Sequence, residues 1–538
     1  MLSRKSLLIL VTNTIGAFAG LVALFVIGRY MGPTPYGMFA FSLSIVSLGA
    51  FLTRLGYDNA HIKRVSEGED LARCNGTYLR IKALLITVFV LGVSVAVILW
   101  DRFQGFFDAT TASVVFVTLA YAVLLEVRLV PTATFDALRQ TARTQTLNIV
   151  EHVVKTPLLI IFALAYGLLN GRWVPFGDIV EGLMGRLGVV GPVTIETGAL
   201  LIALAHGVAL LVSVIAAFAL FRYHGMPIGG YDPALARSYT RFAIPIAVVS
   251  SLHLIANHLD AFMIGYFWNA REVGYYYAAV RITTMVIIVP VAVRTLFFPT
   301  ISQLSRAGDT EGVRTVARST QRLLSLGIVL LTMFILMFAE EGIHIFLSDS
   351  FLPAAETLRL LAIYTFIVST TTIASSLILG HDRPKTIAAI GIVSVVSNIT
   401  LNFVFIPESI LGVPLLGLRS AGAALATVTA QTIALVLLVW YSRRLTGETH
   451  FGMFLVKHIA AAAITAGVLH LLYTPVLGSV DRVWELAAAG ILGTILYLGI
   501  LILLREVTRK DLLMFYDLFH PIRMIRYVRE EVGGRKKD

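Results

Sequence analysis

Apolar runs too long for the helices of an ordinary soluble domain recur along almost the whole chain. A stretch of more than about 18 such residues reads as a membrane helix. About fourteen are legible, at roughly 6–28, 38–60, 81–100, 110–137, 147–169, 198–221, 241–267, 275–300, 322–345, 357–380, 387–406, 419–440, 457–474 and 484–504. No long polar segment interrupts them, and only 14% of residues are charged, against about 25% in soluble domains. Inside lipid the backbone must satisfy its own polar groups, and these runs are too long and too apolar for barrel strands. The expectation is an all-α polytopic membrane protein. The basic start followed by a long apolar run, without a small-residue cleavage site, reads as a retained first span.

The formal net charge is +11. On a soluble protein that balance would prompt a search for nucleic acid. Here the basic residues cluster in short segments between spans, where anionic headgroups and topology account for them, so no nucleic-acid partner is expected. Residues at span ends are counted with the adjoining segments. On that basis the side bearing the N-terminus holds 30 of the 43 lysines and arginines, the opposite side 7 and the spans 6. That asymmetry predicts a cell-membrane protein with both termini in the cytoplasm. The lone cysteine, Cys74, excludes an intrachain disulfide and a thiolate metal site. No phosphate-binding loop, H-E-x-x-H or paired C-x-x-C motif is present. The chain reads as a non-enzyme without cofactor or metal, driven by a gradient, a potential or a separate subunit.

The stretch from Phe242 to Ile282 holds two long apolar helices joined at Asn269-Ala-Arg-Glu, each with a charge where lipid should be, Asp260 and Arg281. It also echoes the N-terminus. Gly274-Tyr-Tyr-Tyr-Ala-Ala-Val-Arg-Ile parallels Gly37-Met-Phe-Ala-Phe-Ser-Leu-Ser-Ile at an offset of 237, and Arg383 parallels Arg143 at 240. Nearly equal offsets argue for one duplication of about six spans. Six is even, so the repeat is parallel, and such halves carry their substrate between them. The expected organisation is residues 1–237 (spans 1–6), 238–445 (spans 7–12) and 446–538 (two further spans and a basic tail). Phe176–Leu187, with Ile179, Leu183 and Leu187 at helical spacing, reads as an interfacial helix. So does the tail from Asp511, which fits equally well as a segment packed beneath the bundle.

Charged residues inside spans cost about 2.5–3.5 kcal/mol on insertion scales, so they face partners or wet cavities. Arg54 and Asp58, Glu126 and Arg128, and Glu151, His152 and Lys155 sit at a common depth on three helices of the first half. In the second half, Asp260 and Arg281 occupy the outer third with His258 nearby, His253 lies near mid-span, and Arg294 lies towards the cytoplasm on span 8. Two readings stand. One is a polar cavity lined by cations with acidic neighbours. The other is local: Arg54 with Asp58 and Glu151 with Lys155 as intrahelical pairs, Arg294 snorkelling to headgroups, His253 a packing residue. Asp260 and Arg281, well inside their spans, resist the local reading. Pro245, Pro290 and Pro299 are expected to kink spans 7 and 8.

Several motifs, taken together, resemble a known family. Gly28-Arg-Tyr-Met-Gly-Pro-Thr-Pro-Tyr-Gly and Leu55-Gly-Tyr-Asp-Asn-Ala-His resemble the opening of Wzx-type polysaccharide flippases. Asp260-Ala-Phe-Met-Ile-Gly-Tyr-Phe with Val273-Gly-Tyr-Tyr resembles the start of their second half. Leu379-Gly-His-Asp-Arg-Pro-Lys, Asn398-Ile-Thr-Leu-Asn and Gly417-Leu-Arg-Ser-Ala-Gly resemble their span 11–12 region. The likeness covers roughly residues 1–445. It implies the multidrug/oligosaccharidyl-lipid/polysaccharide exporter superfamily, with two six-helix lobes around a central, often cationic, cavity. The implied substrate is a polyprenyl- or dolichyl-(pyro)phosphate-linked oligosaccharide, flipped to the outer leaflet by alternating access. A glycan polymerase or transferase machinery would be its partner. On that reading Arg54, Arg128, Lys155, Arg281 and Arg294 contact phosphate, and Asp58, Glu126, Glu151 and Asp260 supply counter-charge or ion coupling. Asp58 departs locally from the pattern.

Other readings remain at this point. A cation-coupled multidrug exporter would rely on acidic and aromatic groups, whereas basic groups here equal or exceed acidic ones. A peptidoglycan-precursor lipid is another cargo. A membrane-embedded glycosyltransferase or polymerase needs long outer loops with metal-binding acids, and the segment 170–197 offers only Asp178, Glu181 and Glu196. A non-transporting lipid-binding scaffold leaves the charged spans unexplained.

Overall fold

The computed structural model describes residues 4–103, 105, 110–186, 192–447, 452–472 and 480–507. Thirteen of its helices are long and apolar enough to cross a membrane. The expected span at 241–267 falls within a further helix of 35 residues, Pro233–Phe267. In chain order the helices are α1 (Arg4–Tyr30), α2 (Pro33–Gly49), α3 (Tyr57–Ser66), α4 (Leu71–Phe103), α5 (Ala112–Ala137), α6 (Thr141–Leu169), α7 (Gly177–Arg186) and α8 (Ile195–Tyr223). Then come α9 (Pro233–Phe267), α10 (Ala270–Arg306), α11 (Thr310–Phe346), α12 (Ala354–Gly380), α13 (Pro384–Phe405), α14 (Arg419–Thr446), α15 (Met453–Leu472) and α16 (Val483–Leu503). The long helices alternate between an end rich in lysine and arginine, here the basic end, and an arginine-poor end.

Local chemistry explains the breaks. Asn269 caps α10, its Oδ1 accepting from Glu272 N at 3.1 Å. Asp232 caps α9 by accepting from Ala234 N and Leu235 N. It also accepts from Arg73 Nη2, which holds its carboxyl below the ordinary range. The short helix expected after Phe176 is α7. Its Val180 is buried against α6, while Ile179 is exposed. The expected tail helix from Asp511 lies outside the described residues. Pro290 and Pro299 both lie inside α10, and non-helical dihedrals occur at Phe338 in α11.

The expected continuous span 38–60 is corrected. Helix α2 ends at Gly49, and a single 3-10 turn, Ala50–Leu52, follows. Thr53 turns its hydroxyl back to Ala50 O at 2.8 Å. Gly56, at φ 84°, then lets α3 start in a new direction. Such a left-handed step is open to glycine without a Cβ penalty. Arg54 therefore lies in the break and Asp58 in the first turn of a separate helix.

Packing repeats along the chain. Helices α5 and α6 both pack on α8, as α12 and α13 both pack on α14. The turns before α6 and α13 each hold a left-handed residue two positions before the helix, Arg139 (φ 58°) and Asp382 (φ 56°). The first six long helices meet the next six mainly through α2 on α10, α2 on α9 and α1 on α10. The repeat-related glycines touch. A Cβ on Gly37 would stand 1.7 Å from Ala270 O and 2.7 Å from Gly274 N, and a Cβ on Gly274 would stand 2.2 Å from Pro33 O. Nearby, Ser348 Oγ donates to Gly28 O at 3.1 Å and Arg29 Nη1 to Ile345 O at 3.3 Å. These contacts close the arginine-poor end.

Helix α9 belongs to both sets. At the basic end, Leu235 and Tyr239 pack with Ala60, Tyr78 and Val130, and His61 shares hydrogen bonds with Tyr239 Oη and Thr134 Oγ1. At the other end, Trp268 just beyond it donates to Ile406 O at 2.8 Å. Helices α15 and α16 dock on α11. Tyr497 Oη donates to Leu326 O, and Glu506 accepts from Arg322 at 2.9 Å and Lys457 at 3.1 Å.

Candidate substrate cavity and buried charge networks

Three charged groups emerge, and depth alone does not sort residues among them. The first is a buried network beside the broken span. Lys82, fully buried on α4, donates to Glu126 Oε2 at 2.7 Å and to Thr53 O at 3.2 Å, and lies 3.0 Å from Asp58 Oδ1. Glu126 also accepts from Arg54 Nε at 2.9 Å, and Tyr78 Oη donates to Asp58 at 2.5 Å. Arg54 and Asp58 thus pair with Glu126 and Lys82, not with each other. Formal charges balance here, two against two. Lys82, at the edge of the expected span 81–100, is this network's centre.

The second group borders a cavity between the helix sets, which Lys155 and Arg281 line. Arg128 Nη1 donates to Glu151 Oε2 at 2.9 Å, and Lys155 Nζ to Glu151 Oε1 at 2.8 Å. The i,i+4 pair on α6 forms as read, with Arg128 of α5 added to it. Lys155 also lines a cavity of about 160 Å³ with Arg281, Tyr36, Phe39, His206 and Tyr277. Among the described residues no carboxylate pairs with the half-buried Arg281. The group carries three cations against one carboxylate.

Helix α1 makes room for this group by omitting side chains. A Cβ on Gly20 would sit 1.9 Å from Arg281 Nη2, and one on Gly16 would sit 2.4 Å from His152 Nε2. The two glycines are four apart and share a face, a spacing visible in the sequence. Arg294, expected to share phosphate contact with Arg281, is exposed about 20 Å farther along α10 and outside the cavity lining.

The third group centres on Asp260 and lies apart from Arg281. Asp260 is buried among α9, α10, α13 and α14. Tyr276 Oη donates to it at 2.6 Å, Asn402 Nδ2 at 2.6 Å and Thr427 Oγ1 at 3.0 Å. Asn398 links to both Thr427 and Asn402. Asn402 Oδ1 is buried without a partner, which is uncommon for a buried polar atom. The side chain of His253 lies outside the described residues. Asn398 and Asn402 stand four apart on α13 and so share one face.

A roomier cavity of about 720 Å³ lies between α11, α12 and α15, walled by groups such as Met333, Met337, Ile363 and Phe366. Among the described residues its lining holds no lysine, arginine or carboxylate, and Thr332 and His470 are its polar members.

Residues 2–174 and residues 188–356 each match a family of polysaccharide biosynthesis proteins. The chain is 23% identical over 449 residues to the probable low-salt glycan biosynthesis flippase Agl15 of Haloferax volcanii, covering 82% of this chain and 83% of that one. It is 29% identical over 192 residues to the probable flippase AglR of the same organism, covering 34% and 37%. Its fold is similar to that of the lipid II flippase MurJ in an inward closed conformation (TM-score 0.66, 14% identity, 92% of this chain and 98% of that one). It is also similar to an inward-facing multidrug resistance transporter of the MATE family (TM-score 0.60, 14% identity, 83% and 96%). The curated relatives are named as flippases, transporters rather than enzymes. On sequence and fold together, the chain is similar to polysaccharide biosynthesis proteins and glycan flippases, and it has a transporter fold like those of MurJ and the MATE family.

Proposed function

We propose that this protein flips a polyprenyl- or dolichyl-(pyro)phosphate-linked oligosaccharide from the basic, cytoplasmic side of the cell membrane to the opposite leaflet by alternating access. On this reading residues 1–237 and 238–445 act as the rocking lobes, and 446–538 is an appendix. The observation that carries the proposal is Arg281, a half-buried guanidinium with no carboxylate partner among the described residues, facing Lys155 across the cavity between the helix sets. An unpaired charge at that depth is costly, and a phosphate would neutralise it with forked hydrogen bonds. The surplus of cations disfavours a cationic drug as cargo. The apolar cavity beside α15 suits an isoprenoid chain by size and chemistry.

The Asp260 group supports ion coupling in place of a counter-charge for Arg281. One carboxylate balances one positive charge. Thr427 Oγ1 and the amide oxygens of Asn398 and Asn402 are the hard donors that a small cation takes, and the unpartnered Asn402 Oδ1 supplies a free acceptor.

The test is flipping of a fluorescent polyprenyl-diphosphate oligosaccharide in proteoliposomes. Arg281→Ala should lower the rate about 10- to 100-fold, the worth of one charge-assisted hydrogen-bonded contact, with the elution profile unchanged. Equal rates would remove Arg281 as a phosphate contact. Failure of the unmodified protein on several lipid-linked glycans, alongside efflux of a cationic dye, would favour drug export. In the same assay Asp260→Asn should abolish dependence on an imposed sodium or proton gradient. A variant that keeps that dependence ends the coupling role.

A further inference from the structure

A second polar cavity opens at the basic end, sharing no lining residue with the first. It measures about 530 Å³ and is walled by Arg64 from the last turn of α3 and by Arg237, Ser238, Arg241 and Phe242 from α9. Lys63 rests over the Phe242 ring, its Nζ 4.4 Å from the centroid. Among the described residues the carboxylate paired with this group is Glu67, which accepts from Arg64 Nη1 at 2.6 Å and lies 3.7 Å from Lys63 Nζ. Four cations therefore face one acid.

The donors are under-used. Arg64 Nε is buried with no hydrogen-bond partner, and buried donors are ordinarily satisfied. Arg237 Nε donates only weakly to its own helix, to Pro233 O at 3.4 Å. Arg241 forms no ion pair among the described residues. Arg237 and Arg241 are one turn apart on a single helical face, and Arg64 meets them from another element. Topogenic arginines need only lie near the headgroups, with no reason to converge on one concavity. Guanidinium forks converging from two helices match the oxygens of a phosphate.

We propose that this cavity is a separate binding site for the phosphate of a lipid headgroup. It grips the headgroup at the membrane surface between α3 and α9. Two lipids offer that chemistry: the bulk anionic phospholipid of the leaflet, and the prenyl-linked diphosphate before it reaches the central cavity. The inference rests on the cavity's own residues and stands whether or not Arg281 handles cargo.

Binding of radiolabelled farnesyl diphosphate and of dioctanoyl phosphatidylglycerol to the full chain in phosphatidylcholine nanodiscs tests it. Two variants keep the sites distinct: Arg237→Gln/Arg241→Gln for this cavity and Lys155→Gln/Arg281→Gln for the central one. Both arginines of the first variant are exposed, and a thermal melt checks its fold. The expected result is a site that survives the central variant and weakens at least tenfold in the α9 variant. If both probes weaken together, the site takes bulk anionic lipid. If only farnesyl diphosphate weakens, it captures the prenyl-linked cargo. Unchanged binding of both probes in the α9 variant overturns the proposal.

Discussion

Lys82→Met should destabilise the protein by about 3–5 kcal/mol, the usual cost of removing one partner from a buried ion pair. The size follows from what is left behind. Asp58 and Glu126 would share a site without the ammonium between them, and Thr53 O would lose its donor. Arg54, more than a third exposed, would compensate only at Glu126. The strain falls on the break between α2 and α3, so that segment should loosen first. Denaturation midpoints in detergent, with protease sensitivity near Thr53, measure both effects. Adding Asp58→Asn and Glu126→Gln should restore most of the loss, because a neutral site needs no ammonium. If Lys82→Met alone melts like the unmodified protein, the network contributes no stability.

Gly37→Ala is expected to have the largest effect on transport. Its new methyl would stand 1.7 Å from Ala270 O, a backbone atom that cannot rotate away. Helices α2 and α10 would have to part where they close the arginine-poor end. Overpacking of this kind costs about 1–3 kcal/mol, roughly 5- to 150-fold in the equilibrium between closed and open forms. Flipping should fall by a similar factor, since a cycle needs that end to shut. The chain's one cysteine, Cys74, is buried, so a Cys74→Ser background with a cysteine at Thr284, on the cavity wall, reports access. Labelling by an impermeant maleimide from the arginine-poor side should rise in Gly37→Ala and in Gly274→Ala alike. Unchanged labelling with normal flipping would show that the glycine contact is no gate.

What the sequence conveyed was height within the membrane; it said little about rotation about each helix axis. Asp260 and Arg281 do lie at similar depth on adjoining helices, yet Asp260 turns towards Asn402 and Thr427, residues 142 and 167 positions away, while Arg281 turns towards α1 and Lys155. The pair at Glu151 and Lys155 was legible because both partners share one helix face. Its extension to Arg128 needed the fold. The Asn269 break was readable from its capping chemistry. The break at Thr53 was hidden in an apolar run without proline, where only Gly56 marks the turn. Lys82 carried no signal in the sequence, because a lysine at the edge of the expected span 81–100 is usually one that snorkels to water, whereas α4, at 33 residues or about 50 Å, begins well before it.

The contact between Gly37 and Gly274 joins two positions that the repeat makes equivalent, and so does the reciprocal approach of Pro33 and Ala270. A surface that touches its own copy, with each partner's roles exchanged, is the geometry of a two-fold homodimer. The pairing fits a six-span ancestor that worked as two identical chains before fusion. In such a dimer one glycine codon would have supplied both sides of the seam. After fusion two codons must hold the same constraint independently, so a bulky residue at either position cannot be relieved by its twin, which is already the smallest residue there is.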